Sequence, residues 1–246
     1  MKTIFLFALC LVFSAMAWGQ KTSLNPGQIE MTHPKFNGKN FEVLMQGKTC
    51  SSLNDYLRSY VCYPAECTEK RVQGTEVIEF EVSSDGKLTG FQVMNSLSPE
   101  IDEHVIALLK NTNGMWTPGR IDGVPVSMKK EISVVYKWAE FEELSTKDFT
   151  ELARLYYKKG SKQLLIKNHP KKALKHFNNG IRYLPNNESL LMLRGICRYE
   201  LGDITGARLD WNRMRTLGNG KSYFGEVTQH LQNFKGFDEL SQMIED

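Results

Sequence analysis

Apolar and polar residues alternate along three stretches in the first half of the chain, which is the pattern of strands with one buried face. Residues 74–93 read GTEVIEFEVSSDGKLTGFQV, in which Asp85-Gly86 separates two alternating runs. An Asp-Gly pair between alternating runs is typical of a tight hairpin turn. A third run at 129–141, KKEISVVYKWAEF, has the same alternation and predicts one more strand.

Two helices are predicted around this hairpin. Residues 51–60, SSLNDYLRSY, begin with serines that can cap a helix and then place apolar residues at helical spacing. In the second helix, Ser98 stands at the N-cap position, Pro99 at the first helical position, and Gly114 follows the end. The order helix, strand, strand, helix, strand predicts a small α+β domain over residues 48–140, with one face of its sheet covered by helices.

The second half of the chain has the 3.6-residue period of amphipathic helices and an internal repeat of 34 residues. Helices are predicted at 149–167, 170–183, 187–201 and 204–217. Three pairs of residues recur at the repeat spacing, namely Ala173 and Ala207, Phe177 and Trp211, and Ser161 and Gly195. Small residues at helix crossings, with an aromatic residue nearby, resemble tetratricopeptide (TPR) repeats. We therefore interpret 145–221 as an all-α pair of TPR-like repeats, followed by capping helices at 222–246.

This second resemblance implies a face that binds peptides or partner proteins, built from the first helix of each repeat. The residues expected on this face are Tyr157, Lys158, Leu191, Arg194 and Arg198. The basic residues among them could hold an acidic segment or a chain-end carboxylate, or they could be ordinary solvated side chains. Two repeats rarely bury enough apolar surface to stand alone, so we expect them to pack on the first unit, on the end helices or on a second copy.

The first unit resembles the C-terminal domain of the TonB energy-transducer family in five elements that follow one another at family spacing. These elements are the Tyr63-Pro64 pair, Gly74 at the first strand, the Asp85-Gly86 turn, the WTPG turn at 116–119 and a closing strand near Val134. The resemblance covers residues 50–138 and implies a binding module, not an enzyme.

In that family, a short extended segment of an outer-membrane receptor is added to the edge of the sheet. The unpaired N–H and C=O groups of an edge strand supply the affinity for such a segment. The resemblance therefore implies that residues 130–138 form a free edge for a partner strand, unless another part of the chain covers it. The central residues of this edge are Glu131, Ile132, Ser133, Val134, Val135, Tyr136 and Lys137. Family members often carry a glutamine three residues before the tyrosine, where this chain has Tyr60.

The N-terminus has the pattern of a secretory signal peptide. Lys2 precedes an apolar run at 4–18, and small residues surround its end. Cleavage after Ala17 or Gly19 would remove residues 1–19 and release the protein into the periplasm of a Gram-negative cell.

An uncleaved leader is the alternative, and it would anchor the chain in the inner membrane as a TonB-type energy transducer for outer-membrane receptor transport. Against this, the apolar run is shorter than the roughly 20 residues that span a bilayer comfortably. It also lacks the histidine of the family's membrane helix. Residues 20–47 are polar and without periodicity, and we interpret them as a short tether.

Four cysteines remain after removal of the leader. Cys50, Cys62 and Cys67 lie close together in the chain, and we expect one disulfide among them, without a preference for any pair. A zinc site is the alternative, but it lacks a fourth ligand at a known spacing. Cys197 lies in an apolar helical pattern and is expected to be buried.

Catalytic and cofactor signatures are absent from the sequence. There is no G-x-S-x-G, no phosphate-binding glycine loop and no H-E-x-x-H, and no histidine pairs with a Cys, Asp or Glu at a known spacing. His104 is expected on the solvent side of its helix. We therefore expect no enzymatic activity, no cofactor and no metal.

The two halves of the chain also differ in their net charge. The net charge of +3 is too small to indicate nucleic-acid binding. Residues 50–149 contain 10 Lys or Arg and 16 Asp or Glu, whereas residues 150–220 contain 14 and 5. The second unit is therefore basic, which could suit an acidic partner. The sequence as a whole predicts an exported adaptor with two protein-binding units, which contacts a membrane only if its leader is retained.

Overall fold

The computed structural model describes residues 9–10, 29–38, 52–138, 146–218 and 229–245. The chain divides into two compact units, Met1–Phe141 and Glu142–Asp246. Each unit has its own hydrophobic core.

A four-stranded antiparallel sheet is the centre of the first unit. Its strands are β1 (Leu9–Cys10), β4 (Gly74–Val82), β5 (Leu88–Asn95) and β9 (Met128–Tyr136), in the order β1-β9-β4-β5. The hairpin β4–β5 and the third strand β9 are those that the alternating pattern predicts. Gly86 has φ +80° in the hairpin turn, and a Cβ atom there would collide with the carbonyl oxygen of Trp116. This turn therefore requires glycine.

The described part of the first unit also contains three helices, and the two longer ones begin at the predicted caps. They are α1 (Leu53–Tyr60), α2 (Ala65–Glu69) and α3 (Pro99–Lys110). The side chain of Ser52 accepts a hydrogen bond from the N–H of Asp55, and that of Ser98 accepts one from Ile101. Both bonds satisfy N–H groups that lack a partner within the helix. Helix α3 packs its apolar face on the sheet, and the largest buried side chains there are Phe80, Leu57, Ile78, Ile101, Leu109, Ile132 and Tyr136.

Part of the predicted tether is a docked strand, which corrects the interpretation of residues 20–47. The short strands β2 (Met31–Thr32) and β3 (Lys35–Phe36) pair with β7 (Gly119–Ile121) and β6 (Trp116–Thr117) in one continuous antiparallel register. A further strand, β8 (Val124–Val126), pairs with β7. The ring of Phe36 packs edge-to-face on Trp116 at 5.5 Å, which ties this segment to the core.

The interruption between β2 and β3 follows from two prolines. In the register of these strands, Pro34 lies opposite Pro118. Neither residue has a backbone N–H, so neither can donate to the ladder at this point. Pairing resumes on both sides, and the N–H of Asn37 donates to the carbonyl of Met115 at 2.7 Å. Sequence periodicity missed this strand because the prolines divide it into pieces of two residues.

The described part of the second unit includes four long helices near the predicted positions and a shorter one near the C-terminus. They are α4 (Thr146–Ser161), α5 (Pro170–Tyr183), α6 (Glu188–Glu200), α7 (Ile204–Thr216) and α8 (Phe237–Glu245). Asp203 caps α7 by accepting a hydrogen bond from the N–H of Gly206. Leu240 and Ile244 of α8 join the core of the other helices. Helix α8 therefore packs on the preceding helices of this unit.

A π-helical turn changes the proposed repeat alignment. Residues Lys162–Ile166 form this turn directly after α4, and a π-turn accommodates one extra residue in a helix. As a result Gly160, and not Ser161, is the counterpart of Gly195. A Cβ atom on Gly160 would lie 2.5 Å from the ring of Phe177, and one on Gly195 would lie 2.6 Å from Cδ1 of Trp211. The two helix crossings are therefore alike, although 35 residues separate the glycines.

Replacing Gly195 by alanine is expected to destabilise the helical unit by about 1–3 kcal/mol. Alanine favours a helix by about 1 kcal/mol over glycine, but overpacking a well-packed core costs about 1–3 kcal/mol or more. The packing cost prevails here because Trp211 is 1% exposed and cannot move away. Hydrogen exchange of α6 and α7 measures the change. Leu209→Ala is the control, since Leu209 is 64% exposed on α7 and its loss should change stability by less than about 0.5 kcal/mol. Equal stability of Gly195→Ala and wild type would contradict the close packing.

Candidate functional site

The candidate site is the outer edge of β9. This strand pairs with β4 over nine consecutive residues, from Met128 opposite Val82 to Tyr136 opposite Gly74, without a register shift. Ile132, Val134 and Tyr136 are buried, as the alternating pattern predicts. A straight, regular strand of this length can present a regular row of backbone donors and acceptors on its other side.

The opposite edge of the sheet, β5, is irregular. Its pairing with β4 shifts register between Val77 and Ile78 and again between Glu79 and Glu81. Gly90 lies within this second irregularity and has a φ of +61°. Bulges of this kind twist an edge strand and hinder the addition of another strand. Of the two edges, β9 is therefore better suited to strand addition.

Two residues of the predicted signal peptide pair with β9, which corrects the expectation that this edge is free throughout. Leu9 lies opposite Val135, and Cys10 lies opposite Val134, in an antiparallel arrangement. Unpaired N–H and C=O groups at an edge strand favour pairing with any extended segment within reach. Residues 1–8 and 11–28, which include the predicted cleavage positions, lie outside the described residues.

An aromatic cluster supports the C-terminal end of β9. The ring of Tyr63 stacks on Trp138 with centroids 4.6 Å apart and contacts Tyr136 edge-to-face at 5.1 Å. Burial, with a smaller contribution from the charge of Cys67, raises the pKa of the Tyr63 hydroxyl above its ordinary value. The Tyr-Pro pair thus enters the fold at the end of the candidate edge, and its tyrosine helps to fix the position of that end.

A buried pair of carboxyl groups lies beside the same strand, and the sequence analysis missed it. Glu76 is opposite Val134 in the β4–β9 ladder and has no exposed surface. Its Oε2 accepts a hydrogen bond from the N–H of Leu97 at 2.9 Å, whereas its Oε1 and Oδ1 of Asp102 are buried without a donor. Burial, followed by the neighbouring charge of Asp102, raises the pKa of Glu76 to about 9. A signal was available, because Glu76 occupies a core-facing position of an alternating strand.

One known protein family matches the region that contains this sheet. Residues 59–138 match the family model of the Gram-negative bacterial TonB protein C-terminal. This part of the chain is similar to a TonB C-terminal domain. The match covers about a third of the chain and includes the hairpin, α3 and β9. The comparisons with curated proteins and with solved structures found no match.

The TonB match concerns residues 59–138 and indicates the kind of domain that they form. TonB C-terminal domains are non-enzymatic domains of energy transduction or protein interaction, and they interact with outer-membrane receptors. TonB family proteins belong to the Gram-negative cell envelope. The match therefore indicates that residues 59–138 are similar to a domain of envelope transport or protein interaction. No helix in the described part of the chain is long and apolar enough to cross a membrane.

The residues expected on the TPR-like face have different environments. Tyr157 is half-buried and Lys158 is exposed on α4, but Leu191 is fully buried in the helical core. Arg194 donates two hydrogen bonds to the carboxylate of Asp210, at 2.6 and 2.9 Å. Leu191 therefore cannot contribute to a binding face, because α6 packs it against its neighbours.

Arg198 takes part in the same ion-pair network. Its Nη1 lies 2.9 Å from Oδ2 of Asp210 and donates to the carbonyl of Gly206 at 3.1 Å. Asp210 is only 3% exposed. Two of the three basic residues expected to hold a ligand thus join α6 to α7. Sequence spacing placed them on the correct helix, but Asp210, which determines what they bind, lies on the next helix.

A cavity of about 210 Å³ lies in the helical unit beside Tyr157. One of its walls belongs to α4, and another is the beginning of α6. Residues in these walls include Thr150, Ala153, Arg154, Tyr157, Ser189 and Leu190. This cavity, with Lys158 nearby on α4, is the part of the expected face that the structure leaves open.

The cysteines of the first unit are not bonded to each other where the structure describes them. Cys62 is exposed, Cys67 is buried, and both are free thiols. Cys50 lies outside the described residues, so only the Cys62–Cys67 pairing can be compared, and it is not formed. Cys197 is buried, as expected. Within the described residues, no group of three or more His, Cys, Asp or Glu is arranged to hold a metal ion.

Proposed function

We propose that the protein is an exported adaptor of the Gram-negative envelope that binds an extended segment of a partner protein along β9. The regular, unshifted β4–β9 ladder is the observation on which this proposal rests most. It presents the more regular of the two sheet edges, and a strand added there gains main-chain hydrogen bonds along its length. The similarity of 59–138 to TonB C-terminal domains supports a protein partner, such as a segment of an outer-membrane receptor.

The pairing of Leu9–Cys10 with β9 covers part of this edge while the predicted signal peptide is present. It uses an antiparallel arrangement centred on Val134 and Val135, as an added partner strand would. These two residues belong to the predicted signal peptide, and cleavage after Ala17 or Gly19 would remove them. In the mature protein Val134 and Val135 would then be released from this pairing.

The helical unit is proposed to bind a second protein. The similar glycine–aromatic crossings at Gly160 and Gly195, together with the 34-residue spacing, support TPR-like repeats. The cavity beside Tyr157 is the proposed contact point. Because residues 150–220 are strongly basic, an acidic segment is the partner that fits their charge best.

Site-specific photo-cross-linking tests the strand-addition proposal. A photoreactive residue is introduced in the full-length chain at Ser133 on β9, and at Gln92 on β5 as the matched control, since both lie on edge strands. In intact cells we expect a cross-linked partner at Ser133 and none at Gln92, because only the β9 edge is regular. Mass spectrometry of the adduct identifies the partner.

Proline substitutions separate binding from folding. N–H groups of successive residues in a strand point to opposite sides, so one of Val134→Pro and Val135→Pro removes a bond to β4 and the other removes an outward N–H. Thermal unfolding identifies the variant that keeps its fold, as proline is tolerated where the N–H faces outward. That variant should lose the Ser133 cross-link. Retention of the cross-link, or equal cross-linking at Gln92, would contradict strand addition at β9.

N-terminal sequencing of the protein recovered from the envelope tests the export proposal separately. A chain that begins near Gln20 agrees with an exported adaptor. A chain that retains its first residues favours the membrane-anchored energy transducer and contradicts release into the periplasm.

A further inference from the structure

Cys62 and His104 form a thiol–imidazole pair that joins two elements of the first unit. Cys62 is exposed in the loop between α1 and α2, and His104 is half-buried on α3. The Sγ atom lies 3.5 Å from Nε2 of His104. These residues are 42 positions apart in the sequence, so no short motif contains both of them. The expected solvent-facing position of His104 was only partly correct.

The protonation of His104 follows from a second contact. The backbone N–H of Cys62 points at the same Nε2 atom, with 3.3 Å between the nitrogens. A backbone N–H is always a donor, so Nε2 acts as an acceptor in this arrangement. An unprotonated nitrogen within reach of Sγ can accept the proton of the thiol. The product is a thiolate, which is the nucleophilic form of cysteine.

We propose that Cys62 is a modification site that reacts with low-molecular-weight disulfides to form a mixed disulfide, with His104 as the proton acceptor. The thiol proton moves from Sγ to Nε2, and the thiolate attacks one sulfur of the disulfide. A bond forms between Sγ and this sulfur while the original S–S bond breaks. The other sulfur leaves as a thiolate, and the imidazolium releases its proton to the solvent, so charge and electrons balance. The low-molecular-weight disulfide is the oxidant.

The other two described cysteines are protected from this reaction. Cys67 is 1% exposed and lies 3.0 Å from the hydroxyl of Ser98. Cys197 is fully buried in the helical core, and burial raises the pKa of its thiol to about 12. Exposure and a nearby acceptor occur together only at Cys62 among the described cysteines, which predicts a selective reaction.

The experiment uses the full-length chain and 5,5′-dithiobis(2-nitrobenzoate), an aromatic disulfide whose released thiolate absorbs light. A brief exposure at pH 7 is quenched with acid, and peptide mass spectrometry locates the modified cysteines. Cys62 should be modified first, and Cys67 and Cys197 should stay unmodified until the protein is denatured. Cys62→Ser should remove the fast phase, whereas Cys50→Ser should retain it.

Two variants of His104 test its role. A cysteine thiol free in water is only about 3% ionised at pH 7, so a proton acceptor can accelerate the reaction by at most about thirtyfold. We expect His104→Gln and His104→Ala to slow the fast phase about fivefold or more at pH 7. Glutamine can still accept the N–H of Cys62 through its carbonyl oxygen but is not a base. The ratio of wild-type to variant rate should shrink towards one above pH 9, where hydroxide ionises the thiol in all forms.

Protection of Cys67 and Cys197 shows that each unit of a variant is still folded. Failure of Cys62 to react in the native protein would overturn the proposal, and so would its presence in a disulfide with Cys50. Equal rates for wild type and His104→Gln, or a ratio that stays constant with pH, would overturn the role of His104. Neither result depends on the partner proposed for β9.

Discussion

A Glu76→Gln variant is expected to be more stable than wild type above neutral pH, by roughly 3 kcal/mol at pH 7. The pKa of Glu76 is raised to about 9 because the carboxyl group is buried beside Asp102. In the unfolded chain the same group has its ordinary pKa near 4.5. Each unit of difference is worth about 1.4 kcal/mol at pH values between the two pKa values.

The direction of the pH dependence follows from proton binding. The folded state holds the proton of Glu76 more tightly than the unfolded state. Its contribution to stability is therefore complete below about pH 4.5, declines as the pH rises, and is lost above about pH 9. Protonation of Glu76 also supplies a hydrogen-bond donor between Oε1 of Glu76 and Oδ1 of Asp102. Both oxygens are buried and otherwise have no donor. Glutamine can donate a hydrogen bond to Asp102 at every pH. Most of the decline in stability with rising pH should therefore be absent in Glu76→Gln.

Urea unfolding from pH 4 to pH 9, followed by the fluorescence of the first unit, measures this effect. Glu81→Gln is the matched control, because Glu81 lies on the same strand and is only partly buried. Its profile should follow that of wild type. If stability depends on pH in the same way for wild type and Glu76→Gln, Glu76 is already ionised in the folded protein. This result would contradict a proton held between Glu76 and Asp102.

An Asp210→Ala variant is expected to lose about 3–5 kcal/mol of stability in the helical unit. Removing one partner of a buried ion pair leaves the other charge without compensation, which costs about this much. Arg194 is 14% exposed at its side chain and makes two hydrogen bonds to Asp210, while Arg198 makes another. These guanidinium groups would have to reach solvent or remain buried without the carboxylate.

Hydrogen exchange of α6 and α7 is the appropriate measurement, because the chain has two units and a single unfolding midpoint would mix them. Arg154→Ala is the control, since Arg154 pairs with Glu151 in an exposed ion pair at 3.0 Å. Loss of such a pair changes stability by about 0.5 kcal/mol or less. Comparable exchange in Asp210→Ala and wild type would mean that the network contributes little to holding α6 against α7.

The local elements of both units were predictable because their signals lie close together in the sequence. Helix α5 spans Pro170–Tyr183 as predicted, and α3 begins at its serine cap. Strands β4 and β9 follow from alternation alone, and the family match at 59–138 confirms the predicted TonB-like domain. Hydrogen bonds between near neighbours and the period of apolar residues are both properties of short segments.

The predictions that the structure corrects concern contacts between residues that are far apart in the sequence. Docking of β2 and β3 depends on partners that are 80 to 90 positions away, and prolines interrupt the pattern of this strand. The shift from Ser161 to Gly160 depends on a π-turn that no periodicity indicates. The roles of Arg194 and Arg198 depend on Asp210, which a binding-face argument based on one helix does not include.

By itself, the sequence determined the long helices, the hairpin with its turn and the third strand of the sheet, and that the chain has a TonB-like unit followed by helices. These properties depend on backbone capping, turn geometry and the spacing of apolar side chains, which act over a few residues. Only the tertiary structure decided which sheet edge is regular, that Glu76 faces Asp102, and that Cys62 lies against His104. Such pairings arise when separate segments share a core, because packing then brings together groups that the chain order keeps apart.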